Sequence, residues 1–342
     1  MPIPNNNTSA AFASWAQHVA HETGFQLGDR IYQGIYYHPE FIRNAIYAGT
    51  LEGKPAVLKL YDDPRLSDEP LALKAFHDHN TSTILTAPAL YRYGIESPKR
   101  GWLIMERLPE KGAFYASPLS REQMDEFVGV YLEYRRNFPA TPTRNLMLAE
   151  TLTPHEYHRH RIAQWLKLAN EKEVERLAKG EQGLLDASAF IPLYERALQE
   201  IDKEFSRRKM VWCHGHFKPH EIFKVGDRSF ILTDFAHSKL YPEGYELGFI
   251  VWSDRLMMTD WQQSYLDWKS GIDEWKLAFE KRKNELNIDR FDDVWRASLI
   301  ERVLGTILAD IVGAERPRGE QEGRLVHLME LLNDLLGTKS VQ

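Results

Sequence analysis

Residues 213–223 read CHGHFKPHEIF, a stretch that holds one cysteine, three histidines and one glutamate. Thiolate, imidazole and carboxylate groups at this density can ligate a transition metal, and they can also act as acids and bases in catalysis. A strand-like segment, FILTDFAH, follows at 230–237 and places a carboxylate at the strand's end. The two segments together predict a metal site, a catalytic loop or the degenerate remains of a catalytic loop.

A lysine at the centre of an apolar strand provides a second chemical group. Lys59 lies within the sequence AVLKL at 56–60, and a buried ammonium is costly without a partner. Glu69, early in the helix predicted to follow, is the best candidate for that partner. Either this ion pair presents an ammonium to nucleotide phosphates, or Lys59 lies on an edge face with its amine in water.

The pattern of apolar residues predicts two parts of different architecture. From about residue 26 to 108 it is strand-like, with a hairpin over 43–61 that turns at Glu52-Gly53. One helix interrupts this sheet, capped by Ser67 or Asp68. After Leu108-Pro109 long amphipathic helices are predicted at 119–137, 154–179, 187–206, 259–285, 291–313 and 320–336. The boundary between the two parts is expected near 107–112.

Composition and charge exclude several classes of function. Lys and Arg total 43 against 49 Asp and Glu, which gives a formal charge of −6, and no basic run is present. We therefore expect no nucleic-acid partner and no membrane partner. A single cysteine, Cys213, excludes an internal disulfide and is typical of a reducing compartment. With no secretory pattern at its start, the chain is expected to be cytoplasmic.

These residues occur in the order found in a known family. His214-Gly215, Lys218-Pro219, Thr233-Asp234-Phe235 and Tyr245-Glu246-Leu247-Gly248 follow the strand lysine and the helix glutamate. In this the chain resembles the aminoglycoside phosphotransferase and choline kinase-like family over roughly residues 25–310. The resemblance implies an α+β, two-lobed protein kinase-like fold, with a small antiparallel sheet and one helix in the N-lobe and a larger, mainly helical C-lobe.

The resemblance also implies a division of the chain. Residues 1–24 would form an N-terminal helical extension and 25–108 the nucleotide-binding N-lobe. The C-lobe would span 109–342, with the catalytic-type loop at 211–223 and the metal-binding strand end at 230–237.

By the same resemblance, the site would bind ATP with Mg²⁺ and a small-molecule acceptor. Lys59 would contact the phosphates and Glu69 would fix Lys59 in place. The strand that ends at Glu106 and Leu108 would bind the adenine through its backbone N–H and C=O groups. Asp234 and Glu221 would carry the metal, with Mn²⁺ possible if His216 joins them. The catalytic residues would be His216, facing the acceptor hydroxyl, and His214, holding the loop.

The sequence departs from the family at two chemical positions. His216 stands where the family has its catalytic aspartate, and Glu221 stands where it has a metal-binding asparagine. A neutral imidazole can still accept a proton, and a glutamate still offers oxygen to a hard cation. Residues 33–41, where a loop over the phosphates is expected, hold a single glycine. The chain is thus predicted to be either a phosphotransferase or a catalytically inactive pseudokinase with a regulatory or scaffolding role.

Other interpretations of the same residues remain open at this stage. The spacing His214-x-His216-x4-Glu221 imitates half of a cupin metal motif, although cupins are all-β and the surroundings here are helical. A zinc site on Cys213 is awkward, because adjacent residues rarely converge on one ion. Acids that could line an acceptor pocket or form a solvated helix face lie at Asp254, Asp260, Asp267, Asp273 and Glu274.

Overall fold

The computed structural model describes residues 8–35, 42–64, 66, 68–139, 154–313 and 316–337, with backbone alone at 154–157. Its N-terminal strands are β1 (Phe25–Ile35), β2 (Ile42–Leu51), β3 (Lys54–Asp62), β4 (Leu85–Thr86), β5 (Leu90–Ser97) and β6 (Arg100–Glu106). Five of them form an antiparallel sheet in the order β1-β2-β3-β6-β5. The sheet-rich N-lobe expected from the sequence is therefore present.

The hairpin predicted over 43–61 is confirmed, since β2 and β3 pair antiparallel around Glu52 and Gly53. Both turn residues have positive φ, 51° and 78°, as the favoured two-residue turns require. Glycine adopts such a backbone at little cost.

Helices cover both faces of this sheet. The helix α1 (Ser9–Thr23) packs Phe12 and Trp15 against Leu58 and Ile104. On the other face lies α2 (Glu69–His79), which follows Asp68 at its N-cap position; Ser67 lies outside the described residues. Side chains alternate along β3, so Leu58 and Leu60 face α1 while Lys59 faces α2. That alternation brings Lys59 to the helix that carries Glu69.

The C-terminal part is mainly helical. Its helices are α3 (Arg121–Asn137), α4 (Pro154–Ala178), α5 (Ala187–Phe205), α6 (Tyr245–Val251), α7 (Tyr265–Glu280), α8 (Lys283–Leu286), α9 (Phe291–Val312) and α10 (Arg318–Leu336). The long, almost wholly buried α9 packs against α4, α5, α6 and α10. Among the described residues, no helix combines the length and apolar character that crossing a membrane needs.

The helix predicted over 259–285 is shorter than expected. A π-helix at Trp252–Leu256 and a turn region precede it, and α7 begins only after Ser264. Ser264 caps α7 by accepting a hydrogen bond from the Asp267 N–H at 3.1 Å. Capping by a serine hydroxyl sets a helix start more sharply than apolar periodicity does.

Short strands complete the molecule and frame the motifs singled out above. They are β7 (Ala113–Phe114), β8 (Met210–Cys213), β9 (Ile222–Gly226), β10 (Ser229–Leu232) and β11 (Lys239–Pro242). β8 pairs with β11, while a second sheet runs β4-β10-β9-β7. The loop from β8 to β9 carries His214, His216 and Glu221, and the turn after β10 carries Asp234. The α+β fold class is confirmed.

Candidate active site

A cleft of about 620 Å³ opens between the N-terminal sheet and the C-terminal part. Apolar side chains from β1 to β3, including Ile31, Ile46 and Val57, line one wall. The segment Met105–Leu108 forms the back, and Glu221, Thr233 and Asp234 line the opposite side. Its size and mixed lining suit a nucleotide-sized ligand.

Lys59 lies at the inner end of this cleft between two carboxylates. Its Nζ is 2.7 Å from Glu69 Oε2 and 3.3 Å from Asp234 Oδ1, and the Lys59 and Glu69 side chains are buried. Burial opposes the charged form, but Glu69 and Asp234 outweigh it and raise the pKa of Lys59. The alternative in which the Lys59 amine lies in water is therefore wrong.

Asp234 has an unusual backbone conformation, with φ 56° and ψ 61°. Aspartate tolerates this left-handed region better than most residues, and such outliers concentrate at functional sites. Burial tends to raise the pKa of Asp234, but Lys59 and the neighbouring imidazoles overcome this and lower it. Asp234 is thus ionised across the physiological pH range and directed at the cleft.

The His214 side chain contacts the backbone just after β10. Its Nε2 lies 2.8 Å from the Thr233 carbonyl oxygen, and its backbone N–H donates to Tyr134 Oη at 2.6 Å. The next N–H, from Gly215, donates to Glu246 Oε1 at 3.0 Å. Tyr134 Oη also donates to Glu246. Glu246 therefore binds the backbone of the loop between β8 and β9.

Gly215 is needed at its position. Its φ is +78°, and a Cβ built there would lie 2.3 Å from the His237 carbonyl oxygen. The loop after β8 and the turn after β10 are therefore in direct contact at this point.

His216 is packed between two rings. Its imidazole stacks on His237 with centroids 3.4 Å apart and on Phe249 with centroids 4.6 Å apart. His216 Nδ1 is 3.9 Å from Asp234 Oδ2, which is too long for a hydrogen bond. Burial, reinforced by His237 and Lys218, lowers the pKa of His216, so the imidazole is neutral near pH 7.

Glu221 faces the same end of the cleft. Its Oε1 lies 3.0 Å from Lys218 Nζ, and its Oε2 accepts a hydrogen bond from Thr233 Oγ1 at 2.9 Å. Burial and the charge on Asp234 raise its pKa to about 7, against the opposing effect of Lys218. Glu221 and Asp234 are thus close enough to influence each other's charge.

No protein-family model and no curated protein matches this sequence. Its three-dimensional structure, in contrast, resembles solved structures along nearly the whole chain. Aminoglycoside phosphotransferase APH(4)-Ia, in a ternary complex with ADP and hygromycin B, matches with a TM-score of 0.55 at 11% identity, covering 95% of this chain and 99% of that one.

Two other kinases match to a similar extent. An ethanolamine kinase from Plasmodium vivax gives a TM-score of 0.56 at 14% identity, with 96% of this chain and 91% of that chain covered. Choline kinase LicA from Streptococcus pneumoniae gives 0.54 at 13% identity, with 95% and 100% covered. The chain has the aminoglycoside phosphotransferase and choline kinase-like fold. The fold expected from the resemblance is thereby confirmed.

Six of the predicted site residues line one cleft, whereas the two predicted catalytic residues, His214 and His216, are not among the residues that line it. Lys59, Glu69, Asp234 and Glu221 line it directly, as do Glu106 and Leu108 at its back. The Glu106 side chain itself accepts from the Ala89 N–H at 3.1 Å. Part of the segment predicted to cover the phosphates, residues 36–41, lies outside the described residues.

A kinase-like fold is incompatible with the cupin interpretation, which requires an all-β sandwich. His214 also points at the Thr233 carbonyl, and Cys213 is buried in the core.

The acidic residues predicted to line an acceptor pocket or to form a solvated helix face differ in their exposure to water. Asp254 is buried and accepts from Leu119 N–H and Trp275 Nε1, whereas Asp260, Asp267 and Asp273 are exposed.

Sequence reasoning missed two residues beside His216. His237 follows Asp234 in a short helical turn, and Phe249 lies in α6. Within the described residues, His216, Asp234 and His237 are the group of potential metal ligands, with ligand atoms within 4.8 Å of one another. The signal was present in TDFAH, but His237 has no counterpart in the family motif that guided the prediction.

Proposed function

We propose that this chain is a small-molecule phosphotransferase that uses ATP together with a divalent metal ion. The observation that carries the proposal is the buried ammonium of Lys59, placed between Glu69 and Asp234 at the end of the cleft. Phosphoryl transfer depends chiefly on positioning and on charge stabilisation around the phosphates. A lysine fixed by a glutamate beside an ionised aspartate meets that need.

Each site residue then has a role. Lys59 would contact the phosphates, and Glu69 would hold it in place. The backbone around Glu106 and Leu108 would receive the adenine. Asp234 and Glu221 would hold Mg²⁺, which neutralises phosphate charge when bound. Their carboxylate oxygens fit this hard cation.

His216 would accept the proton of the acceptor hydroxyl. Its imidazole is neutral near pH 7 because burial lowers its pKa, so its lone pair is available, although the lowered pKa makes it a weak base. General acid and base catalysis contributes roughly a hundredfold to ten-thousandfold to a rate. A poorer base would therefore slow the reaction without abolishing it. We infer a small-molecule alcohol as the acceptor, as the likeness to aminoglycoside, ethanolamine and choline kinases suggests.

Thermal unfolding with and without nucleotide tests the binding half of this proposal. ATP with Mg²⁺ should raise the Tm of the wild type, because a ligand that binds the folded state stabilises it. Lys59→Ala should lose this shift, whereas Lys54→Ala, an exposed lysine at the start of the same strand, should keep it. No shift with any nucleotide, or an unchanged shift in Lys59→Ala, would refute ATP binding at this cleft.

A second candidate function is nucleotide binding without turnover, as in a pseudokinase. The packing of His216 between His237 and Phe249 favours it, because a stacked imidazole is less free to approach an acceptor. A product screen with ATP and pooled alcohols distinguishes the two candidates. Turnover by the wild type that falls by about a hundredfold or more in His216→Ala supports the enzyme. A silent wild type that gains activity as His216→Asp supports the pseudokinase.

A further inference from the structure

His216, Asp234 and His237 bring together two imidazoles and one carboxylate from two adjoining loops. Their ligand atoms lie within 4.8 Å of one another, and His216 Nδ1 is 3.9 Å from Asp234 Oδ2. Three ligands that each lie about 2.1 Å from one ion are about 3.0 to 3.4 Å from one another in octahedral or tetrahedral geometry. The ligand atoms must therefore move closer by up to about 1.4 Å, a displacement of the size that the turn of one imidazole ring supplies.

We propose that His216, Asp234 and His237 form a binding site for one transition-metal ion, such as Mn²⁺ or Zn²⁺. Two imidazole nitrogens and one carboxylate oxygen suit such ions better than Mg²⁺, which prefers oxygen ligands alone. Three protein ligands leave further coordination positions open to water or to a ligand in the cleft. The exchange of the family's catalytic aspartate for His216 would thus add a nitrogen ligand beside Asp234.

The two oxygens of Asp234 serve different partners, which lets the ion and Lys59 coexist. Oδ1 is the oxygen 3.3 Å from Lys59 Nζ, whereas Oδ2 is the oxygen that faces His216. The carboxylate can thus bond the ion through Oδ2 while Oδ1 keeps its contact with Lys59.

The surrounding structure holds the two loops together, but one imidazole ring must rotate before all three ligands can bind the same ion. Gly215 lies so close to the His237 carbonyl oxygen that no side chain fits between the two loops there. Phe249 supports the far side of the His216 ring. Because the two imidazoles lie face to face, their in-plane lone pairs do not meet at one point. One ring must turn about its Cβ–Cγ bond as the ion binds.

This site does not depend on phosphoryl transfer, since binding of a metal by the protein alone would reveal it. The full chain, freed of metal by a chelator and carrying no affinity tag, would be titrated with Co²⁺ followed by absorption and with Mn²⁺ followed by electron paramagnetic resonance. Mg²⁺ would be the competitor. We expect one equivalent to bind and Mg²⁺ in moderate excess to displace it poorly.

The variants His216→Ala and His237→Ala should each lose affinity for Mn²⁺ and Co²⁺. Even removal of an outer partner of a ligand typically weakens metal binding by about tenfold to a hundredfold, so loss of a ligand should cost at least as much. His220→Ala is the matched control, because His220 is an exposed histidine of the same loop, and its affinity should be unchanged.

Three results would overturn the proposal. The first is a wild type that binds neither ion, and the second is equal affinity in the wild type and His237→Ala. The third is displacement by equimolar Mg²⁺. Should His237→Ala fail to fold by circular dichroism, His237→Asn tests the same ligand with a smaller change of shape. Nucleotide-dependent thermal shifts, measured separately, show whether the cleft binds ATP regardless of this outcome.

Discussion

Lys59 Nζ lies 2.7 Å from Glu69 Oε2 inside the protein, where both side chains are almost wholly inaccessible to water. One residue comes from strand β3 and the other from the first turn of α2, so the pair fixes the helix against the sheet. Breaking a buried ion pair leaves an uncompensated charge and is strongly destabilising. The pair should therefore matter for folding as well as for ligand binding.

Lys59→Met should destabilise the protein by about 3 to 5 kcal/mol, because Glu69 and Asp234 lose their buried counter-charge. The free energy of unfolding from urea denaturation measures this. Lys54→Met, on the exposed end of the same strand, should change stability by about 0.5 kcal/mol or less. The double variant Lys59→Met with Glu69→Leu should be less destabilised than the sum of the single variants. Full additivity would mean that the pair does not interact.

Tyr134→Phe should loosen the loop that joins β8 to β9. The hydroxyl accepts from the His214 N–H and donates to Glu246, so its removal leaves buried polar groups without that partner. The cost of such a loss is about 1 to 3 kcal/mol, measurable by chemical denaturation. Hydrogen exchange at the His214 and Gly215 amides should accelerate as well. In Tyr131→Phe, one helical turn away, those two amides should exchange at the wild-type rate.

Stability should fall in acid because His214 is buried in its neutral form. Burial lowers the pKa of His214 from 6.5 to about 4. Between pH 6.5 and about 4, His214 is therefore protonated in the unfolded chain and neutral in the folded chain. The contribution of His214 is fully present above pH 6.5 and decreases as pH falls toward 4, by about 3 kcal/mol in total. Unfolding free energies of the wild type and His214→Asn across this range test this, and parallel pH profiles would contradict it.

Binding of Mg²⁺ with nucleotide should strengthen as pH rises through about 7. The pKa of Glu221 is raised to about 7 by burial and by Asp234, so this carboxyl is largely protonated below that pH and is then a poor metal ligand. Isothermal titration at pH 6, 7 and 8 should show the dependence. Glu221→Gln should flatten it and weaken binding at pH 8. A profile in Glu221→Gln as steep as that of the wild type would assign the titration to another group.

Local sequence signals predicted most of the fold and part of the site. The turn at Glu52-Gly53, the strand lysine and the early glutamate of α2 are short-range features, and the Lys59–Glu69 pair follows from strand alternation. The expectation that His214 holds the loop came from the resemblance. The positions of His237 and Phe249 did not follow from the sequence. Their contacts with His216 depend on how a turn and a helix far along the chain pack together.

The start of α7 shows a related limit. Apolar periodicity continues through the residues before it, which led to a predicted helix from 259. The hydroxyl of Ser264 caps α7 and so sets its start after this residue. The chain before it forms a π-helix at Trp252–Leu256 and a turn instead of the first turns of α7. Periodicity reports which residues face the core, whereas caps decide where a helix begins.

The pairing of β4 with β10 has a consequence for movement of the cleft. Leu85 and Thr86 belong to the sheet-rich part, yet they pair in parallel with Phe230 and Ile231, just before Asp234. A hydrogen-bonded attachment therefore lies close to the turn that carries Asp234, while the tips of β1 and β2 have no comparable link among the described residues. If the N-terminal sheet rotated relative to the helical part, the pivot would lie beside Asp234 and the largest displacement would occur at Ile31 and Tyr32. Entry and departure of a ligand would thus depend on movement of the β1 tip at Ile31 and Tyr32, while Asp234 would hardly move.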